Sequence, residues 1–481
     1  RELDGSPIRP YWYTNNMRIL QMTHIRLAAL AALCMICASP ITACSPKPTP
    51  ISPSQPTPTT GEPDKTAIPL TAELVRAKLE RDTAPQVLDE NLASIAQGNT
   101  QFAFDLYHQT ASQDSGNLIF SPYSISLAFA MVSAGAVGDT QTQIANTLHF
   151  TLPQDQLHPA FNALDLSLEG PQEEQVTQAP TNEGETGNLT LRIANALWGQ
   201  SGFEFNQMFL DTLAQNYGAG MRVVDYENAP EESRQQINQW VSDETEERIQ
   251  NLIPQDAITP DTRLVLTNAI YFYGGWSTQF DKEATQDALF TGFAGSESTV
   301  PMMHLQGFQT AYASGDGWQA ATLPYGQDHS AEMIVILPKA SRFAEIEAAM
   351  DAAKFEEIRS ALQTNHAMLN LSMPRWDFEG TFSLNETLKA MGMTTPFEED
   401  ADFSGITTEK KLAITDVIHK ANITVDEEGT EAAAATAIVV GITSVMPVDQ
   451  TVHLTLDHSF LFAIVDTDTG TILFLGRVTN P

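Results

Sequence analysis

The chain has 481 residues of ordinary globular composition, 42% hydrophobic and 18% charged, enough for a large core in more than one packed layer. Its charge is not ordinary: 25 Lys plus Arg against 60 Asp plus Glu give a formal net of −35. Such a surface repels phosphate backbones and anionic polysaccharides, which argues against nucleic acid as a partner.

Residues 1–16 read as translated sequence upstream of a start at Met17 or Met22. Residues 17–43 have the layout of a secretory signal, with Arg18 and Arg26 preceding or opening the apolar run Leu27 to Ile36. Cys34 and Cys37 have CxxC spacing, but a segment that is removed cannot serve as a redox or metal site. Ile41-Thr42-Ala43-Cys44 resembles the bacterial lipobox. That resemblance implies cleavage before Cys44 and a diacylglycerol on its sulfur, hence a membrane partner and an extracytoplasmic, lipid-anchored protein. The alternative is an ordinary signal cut elsewhere and a secreted product. Removal of residues 1–43 leaves 58 acids against 21 bases, a net of −37. Residues 44–87 then form a lipidated cysteine, a Pro/Ser/Thr-rich tether to about Lys65 and a lead-in, before a domain at 88–481. No cysteine follows Cys44, so the folded part holds no disulfide.

The domain reads as interleaved helices and strands. Apolar residues from Leu92 to Leu106 fit an amphipathic helix loosely, over Asn91 to Thr110. Ser121-Pro122 supplies an N-cap and a first-turn proline for a helix from Tyr123 to about Ser133, apolar nearly all round and therefore buried. Pro171 to Gly187 is an acidic exposed loop. Leu189 to Ile193 alternates as a strand, Glu231 to Ile249 reads as a surface helix, and Arg263 to Phe272 as a central strand. Met333 to Leu337 is a buried strand; Phe460 to Val465 and Thr471 to Val478 flank Asp466-Thr467-Asp468-Thr469-Gly470 as a hairpin. The latter five residues lack the later glutamate of a calcium loop, so a turn is the better reading. GxSxG, HExxH and GxxxxGK[ST] do not occur, and no metal or cofactor is implied.

The informative stretch is Glu427 to Pro447, EEGTEAAAATAIVVGITSVMP. Its alanines suit a helix and its Ile438-Val439-Val440 run suits a strand. Together with NLIFSPYSISLAFAMVSAGAVGDTQTQI (117–144), LVLTNAIYFYGGW (264–276), VPMM (300–303), DVIHKANITVDEEGTEAAAAT (416–436) and DHSFLFAIVDTDTGTILFLGRVTNP (457–481), it resembles the serpin family over residues 88–481. The resemblance implies an α+β fold with three β-sheets, about nine helices and an exposed reactive-centre loop. It implies no enzyme but a monomeric suicide-substrate inhibitor of serine proteases, in which the cut loop enters the main sheet as a new strand.

That journey explains the composition. With Thr430 inward, Ala432, Ala434, Thr436, Ile438 and Val440 follow it, while Glu431, Ala433, Ala435, Ala437 and Val439 face out. Small side chains pass between parted strands at little steric cost, and the β-branched run then favours the strand. Gly429 frees the pivot, and Glu427 and Glu428 are expected to stay outside in water. Counting as in the family places the scissile bond at Thr443–Ser444, with Ile442 and Met446 as alternatives, and suits an elastase-like or subtilisin-like enzyme. The family's sheet-opening cluster maps onto Ser121, Ser124, Asn268 and His419, with Trp276 near the point where the loop enters. Glu173, Glu174, Glu183 and Glu185 stand where heparin-activated members carry basic residues, so no heparin activation is expected. A non-inhibitory serpin acting as a binding or structural protein is the second reading.

Overall fold

The computed structural model describes residues 72–169, 190–408, 411–430 and 451–481. The signal segment, Cys44, the tether, the acidic loop at 171–187, and Glu431 to Thr436 with the Thr443–Ser444 bond lie outside the described residues.

A seven-stranded sheet is built from β1 (Glu73–Val75), β3 (Thr190–Gln200), β4 (Met221–Val224), β5 (Leu264–Gly275), β11 (Trp376–Ser383), β12 (Asp416–Val425) and the two-residue β13 (Gly429–Thr430). Its order is β1-β4-β3-β5-β13-β12-β11, and β5 also pairs directly with β12. A second, nine-stranded ladder contains β2 (Leu118–Phe120), β6 (Gln286–Thr291), β7 (Glu297–Gly315), β8 (Trp318–Pro324), β9 (Ala331–Pro338), β10 (His366–Pro374), β14 (Thr451–Thr455), β15 (Phe460–Asp466) and β16 (Ile472–Val478). The expected second and third sheets are thus continuous in hydrogen bonding. The long β7 pairs with β6 and β10 along most of its length and with β8 from Tyr312 to Gly315, bending where Gly307 adopts φ +64°.

Nine α-helices occur among the described residues: α1 (Asp89–Ala111), α2 (Pro122–Ser133), α3 (Gly138–Thr147), α4 (Gln154–Glu169), α5 (Gln207–Tyr217), α6 (Pro230–Glu244), α7 (Phe343–Ala348), α8 (Ala352–Thr364) and α9 (Asn385–Ala390). Helix α2 behaves as its sequence demands. Ser121 Oγ accepts the Ser124 N–H at 3.1 Å, Pro122 occupies the first turn, and every residue of the helix is buried. It packs on β3, β5 and β16, behind the seven-stranded sheet.

Three boundaries differ from the sequence reading. Strand β3 runs on to Gln200, and α6 stops at Glu244. Past it, Glu246 and Glu247 take positive φ, and Thr245 Oγ1 accepts the Ile249 N–H at 3.1 Å, ending the helix without a glycine. Ile249 is buried all the same, which is why its apolar phase looked helical. Residues 72–87, assigned to the lead-in, are part of the folded body, since β1 pairs antiparallel with β4. The turn between β15 and β16 is as expected: Asp466 Oδ2 accepts the Thr469 N–H at 2.8 Å.

Candidate functional site

The seam of the seven-stranded sheet lies between β5 and β12. They run parallel, with His419 opposite Asn268, and β3 places Asn195 on the far side of Asn268 in the same row. Phe382 of β11 completes the row and stacks on the His419 ring at 6.3 Å. The N-terminus of α2 caps this row from behind. The Ser121 N–H donates to His419 Nε2 at 3.0 Å, which fixes the ring as the tautomer with its proton on Nδ1. That proton is donated to Asn268 Oδ1. Asn268 Nδ2 donates to Ser124 Oγ at 2.7 Å and to Asn195 Oδ1 at 2.6 Å, and Ser124 Oγ donates to Asn195 Oδ1 at 3.0 Å.

Ser121, Ser124, Asn268 and His419, each fully buried, are therefore brought together. Only the His419–Asn268 bond crosses the seam from strand to strand within this group. A strand inserted there would double the β5-to-β12 spacing, from about 4.8 Å to about 10 Å, and break it. Asn195 was missed in the sequence because the strand was read as ending at Ile193. Its signal was a polar residue on the same phase as Leu191, Ile193 and Leu197, which a half-buried strand tolerates only when hydrogen-bonded.

Burial drives the His419 pKa down to about 3, so the ring is neutral in the fold. Unfolded, it would titrate near 6.5. Its contribution is thus fully present above pH 6.5 and is lost as pH falls through that range towards 3. Relative to His419→Gln, the native protein is expected to lose about 1.4 kcal/mol per pH unit between those limits. Urea unfolding of both proteins at pH 7 and pH 5 reads this difference; parallel pH profiles would refute it.

Trp276 stands apart from that cluster, at the end of β5 and beside the hinge. Its backbone N–H donates to Glu428 O at 2.8 Å and its indole N–H to Asp426 O at 2.9 Å, while the ring stacks on Tyr325 at 4.5 Å. The hinge itself is already seated at the top of the seam. Gly429 faces Gly275, and Thr430 faces Gly274 of β5 and Val425 of β12. Thr430 points inward, fully buried, its hydroxyl 2.7 Å from the Tyr325 hydroxyl. Gly429 adopts φ +157°, and a Cβ there would strike the Gly274 carbonyl and lie 2.7 Å from Gly275 Cα. No other residue fits that conformation at that distance.

Glu427 and Glu428 overturn the expectation that they remain in water. They are 1% and 6% exposed. Arg375 donates to Glu427 Oε1 from Nε at 2.9 Å and from Nη2 at 2.5 Å, Thr285 donates to the same oxygen, and Lys282 pairs with Glu428. Burial alone would raise the Glu427 carboxyl; the Arg375 and Thr285 hydrogen bonds together outweigh it and hold the group below the usual range. Breaking a buried pair leaves an uncompensated charge, and the 43% exposure of Arg375 discounts that cost. Arg375→Ala is therefore expected to lower the stability of the uncut protein by about 2 kcal/mol. Its urea transition at neutral pH measures this, and an unshifted midpoint would mean that water replaces the arginine without loss.

The family model described as "Serpin (serine protease inhibitor)" matches residues 97–481. Human serpin B3 is 37% identical over 393 residues, covering 81% of this chain and 100% of its own. Human leukocyte elastase inhibitor is 34% identical over 398 residues, with the same coverage of both chains. Among solved structures, the native state of the thermophilic serpin Tengpin superposes with a TM-score of 0.72 at 26% identity, covering 85% of this chain and 100% of that one. With the α+β architecture, the seam and the hinge described above, these matches establish that the chain belongs to the serpin family.

Proposed function

We propose that the protein is an irreversible suicide-substrate inhibitor of serine proteases, held outside the cytoplasm through a lipid on Cys44. The observation that carries this reading is the hinge. Thr430 already lies between β5 and β12, and the sequence after it offers only alanine and threonine to the inward positions as far as Thr436. Nothing bulky, charged or cyclic stands in the way of insertion there.

In this mechanism a serine protease attacks the Thr443 carbonyl, Ser444 leaves as the new amino terminus, and an ester links Thr443 to the enzyme. The freed arm from Thr430 to Thr443 enters the seam as a strand of roughly 45 Å. The enzyme is carried with it, and its oxyanion hole and triad lose the geometry that deacylation needs. No group of the inhibitor itself acts as a catalyst. Threonine at the scissile position suits an elastase-like or subtilisin-like pocket and offers no cation to a trypsin-like one.

Incubation with elastase, subtilisin, chymotrypsin and trypsin tests the reading. The expected result is a heavier band that survives boiling in detergent, with the inhibitor fragment ending at Thr443 by mass spectrometry. Clean cleavage by all four with no such band would leave the protein a non-inhibitory member, and another terminus would move the scissile bond.

A further inference from the structure

We propose that residues 72–84 are a strap that slows opening of the seven-stranded sheet, with Arg81 as its positioning residue. The inference rests on the insertion mechanism proposed above and adds to it a control on when insertion begins. Inserting a strand divides this sheet into β1-β4-β3-β5 on one side and β12-β11 on the other. The strap is built into the first half, where Glu73, Leu74 and Val75 pair with Val223, Arg222 and Met221 of β4. A few residues on, it is fastened to the helices behind. The Asp82 N–H donates to Gln215 O of α5 at 2.9 Å, and Asn162 of α4 donates to Asp82 O at 2.7 Å. Arg81 donates to Asn162 Oδ1 at 2.7 Å and to Asp165 Oδ2 at 2.6 Å.

Asp165 in turn accepts the Tyr123 hydroxyl at 3.0 Å, and Tyr123 is the α2 residue beside Ser124 of the seam cluster. Arg81 and Asn195 also line one cavity of about 550 Å³, so strap and seam cluster share a wall. Within the strap, Ala77 is buried in the main core and Val75 packs against it, but little else is. Leu74 and Leu79 are 43% and 38% exposed, whereas the Arg81 and Asp165 side chains are only 17% and 14% exposed. Its contacts with α4 and α5 around Arg81 and Asp82 are directional hydrogen bonds, and these do not stretch. Parting β5 from β12 takes a lateral shift of about 4.8 Å, and the same shift between β4 and α4 carries a guanidinium out of reach of its carboxylate. Opening the sheet therefore costs the Arg81–Asp165 pair.

The test uses the full uncut chain, unsubstituted and as Arg81→Ala, Arg81→Lys and Tyr123→Phe, held warm below its unfolding transition. Aliquots are scored for uncut protein that has become resistant to high urea and for remaining complex formation with elastase. Arg81→Ala is expected to yield the resistant uncut species roughly 10- to 100-fold faster, the scale of a lost charged hydrogen bond. Arg81→Lys is expected to fall between, and Tyr123→Phe to accelerate conversion less than Arg81→Ala. Equal rates in all four overturn the strap, as does loss of Arg81→Ala to aggregation with Tyr123→Phe converting at the unsubstituted rate. If even protein cleaved in its loop gains no resistance, the insertion mechanism fails as well. Gain on cleavage with equal rates sinks the strap alone.

Discussion

Thr430→Arg is expected to turn the inhibitor into a substrate, with more than about ten molecules cleaved for each stable complex formed. In the uncut protein Thr430 is fully buried between β5 and β12, with its hydroxyl on Tyr325. A guanidinium cannot occupy that position without leaving an unpaired charge in a buried site built for a hydroxyl. The uncut molecule evades the cost by leaving its short β13 unpaired. The acyl-enzyme cannot evade it, because every later residue of the arm follows position 430 into the seam. Insertion races deacylation, and a penalty of about 3 kcal/mol in the insertion barrier slows it roughly 100-fold. Thr430→Ser keeps the hydroxyl and is expected to leave the stoichiometry unchanged. Titration of elastase or subtilisin activity against each variant, with the products run on a denaturing gel, gives the partition directly. An arginine variant that still traps enzyme at unsubstituted stoichiometry would mean that trapping does not pass through this hinge.

What could be read from the sequence follows from the range of the interactions concerned. Of the hinge, the inward face of Thr430 was legible because its rule is local: strand positions alternate. The same rule was applied to Ala432, Ala434 and Thr436, which lie outside the described residues. Helix α2 was legible for the same reason, since Ser121, Pro122 and the apolar run after them carry the whole signal. The ionic seat of the hinge was not. Arg375 precedes Glu427 by 52 residues and Lys282 precedes Glu428 by 146, and nothing beside either glutamate reveals that a cation will fold against it. Two adjacent acids before a glycine look solvated until the sheet places β5, β11 and β12 together. The strap was hidden in the same way, because Arg81 in a polar lead-in finds Asp165, 84 positions on, only after the intervening chain has folded. Asn195 was lost to a boundary error of a few residues in β3, and it turned out to hold Asn268 in place. The lipid anchor and the scissile bond stand on motifs alone.

Cleavage between 431 and 450 is expected to raise the midpoint of thermal unfolding by on the order of 20 °C. In the uncut chain the arm is held at both ends. Thr430 is seated in the seven-stranded sheet, and Thr451 begins β14, paired in parallel register with β10 from Met368 to Ser372 on the other ladder. To enter the seam uncut, the arm would have to strip β14 from β10, exchanging one set of strand bonds for another. A cut removes that condition: the C-terminal piece keeps β14, and the N-terminal piece is free to pair on both sides with β5 and β12. About fourteen residues then exchange water for a central-strand site. At about 1 kcal/mol net per hydrogen bond, with one bond per residue, the gain is on the order of 10–20 kcal/mol before the burial of Ile438 and Val440 is counted. The loss of the direct β5–β12 bonds from Asp416 to Asn422, of the His419–Asn268 bond and of the arm's conformational freedom, about 1 kcal/mol or more per residue, opposes it, so the net gain is smaller than the ladder sum. A nick placed instead in the 170–189 segment, between α4 and β3, is expected to leave the midpoint where it was. Calorimetry of the intact, loop-cut and control-cut proteins separates these cases. A loop-cut protein that melts with the intact one would mean that the seam between β5 and β12 never opens for the arm, whatever protease is presented to it.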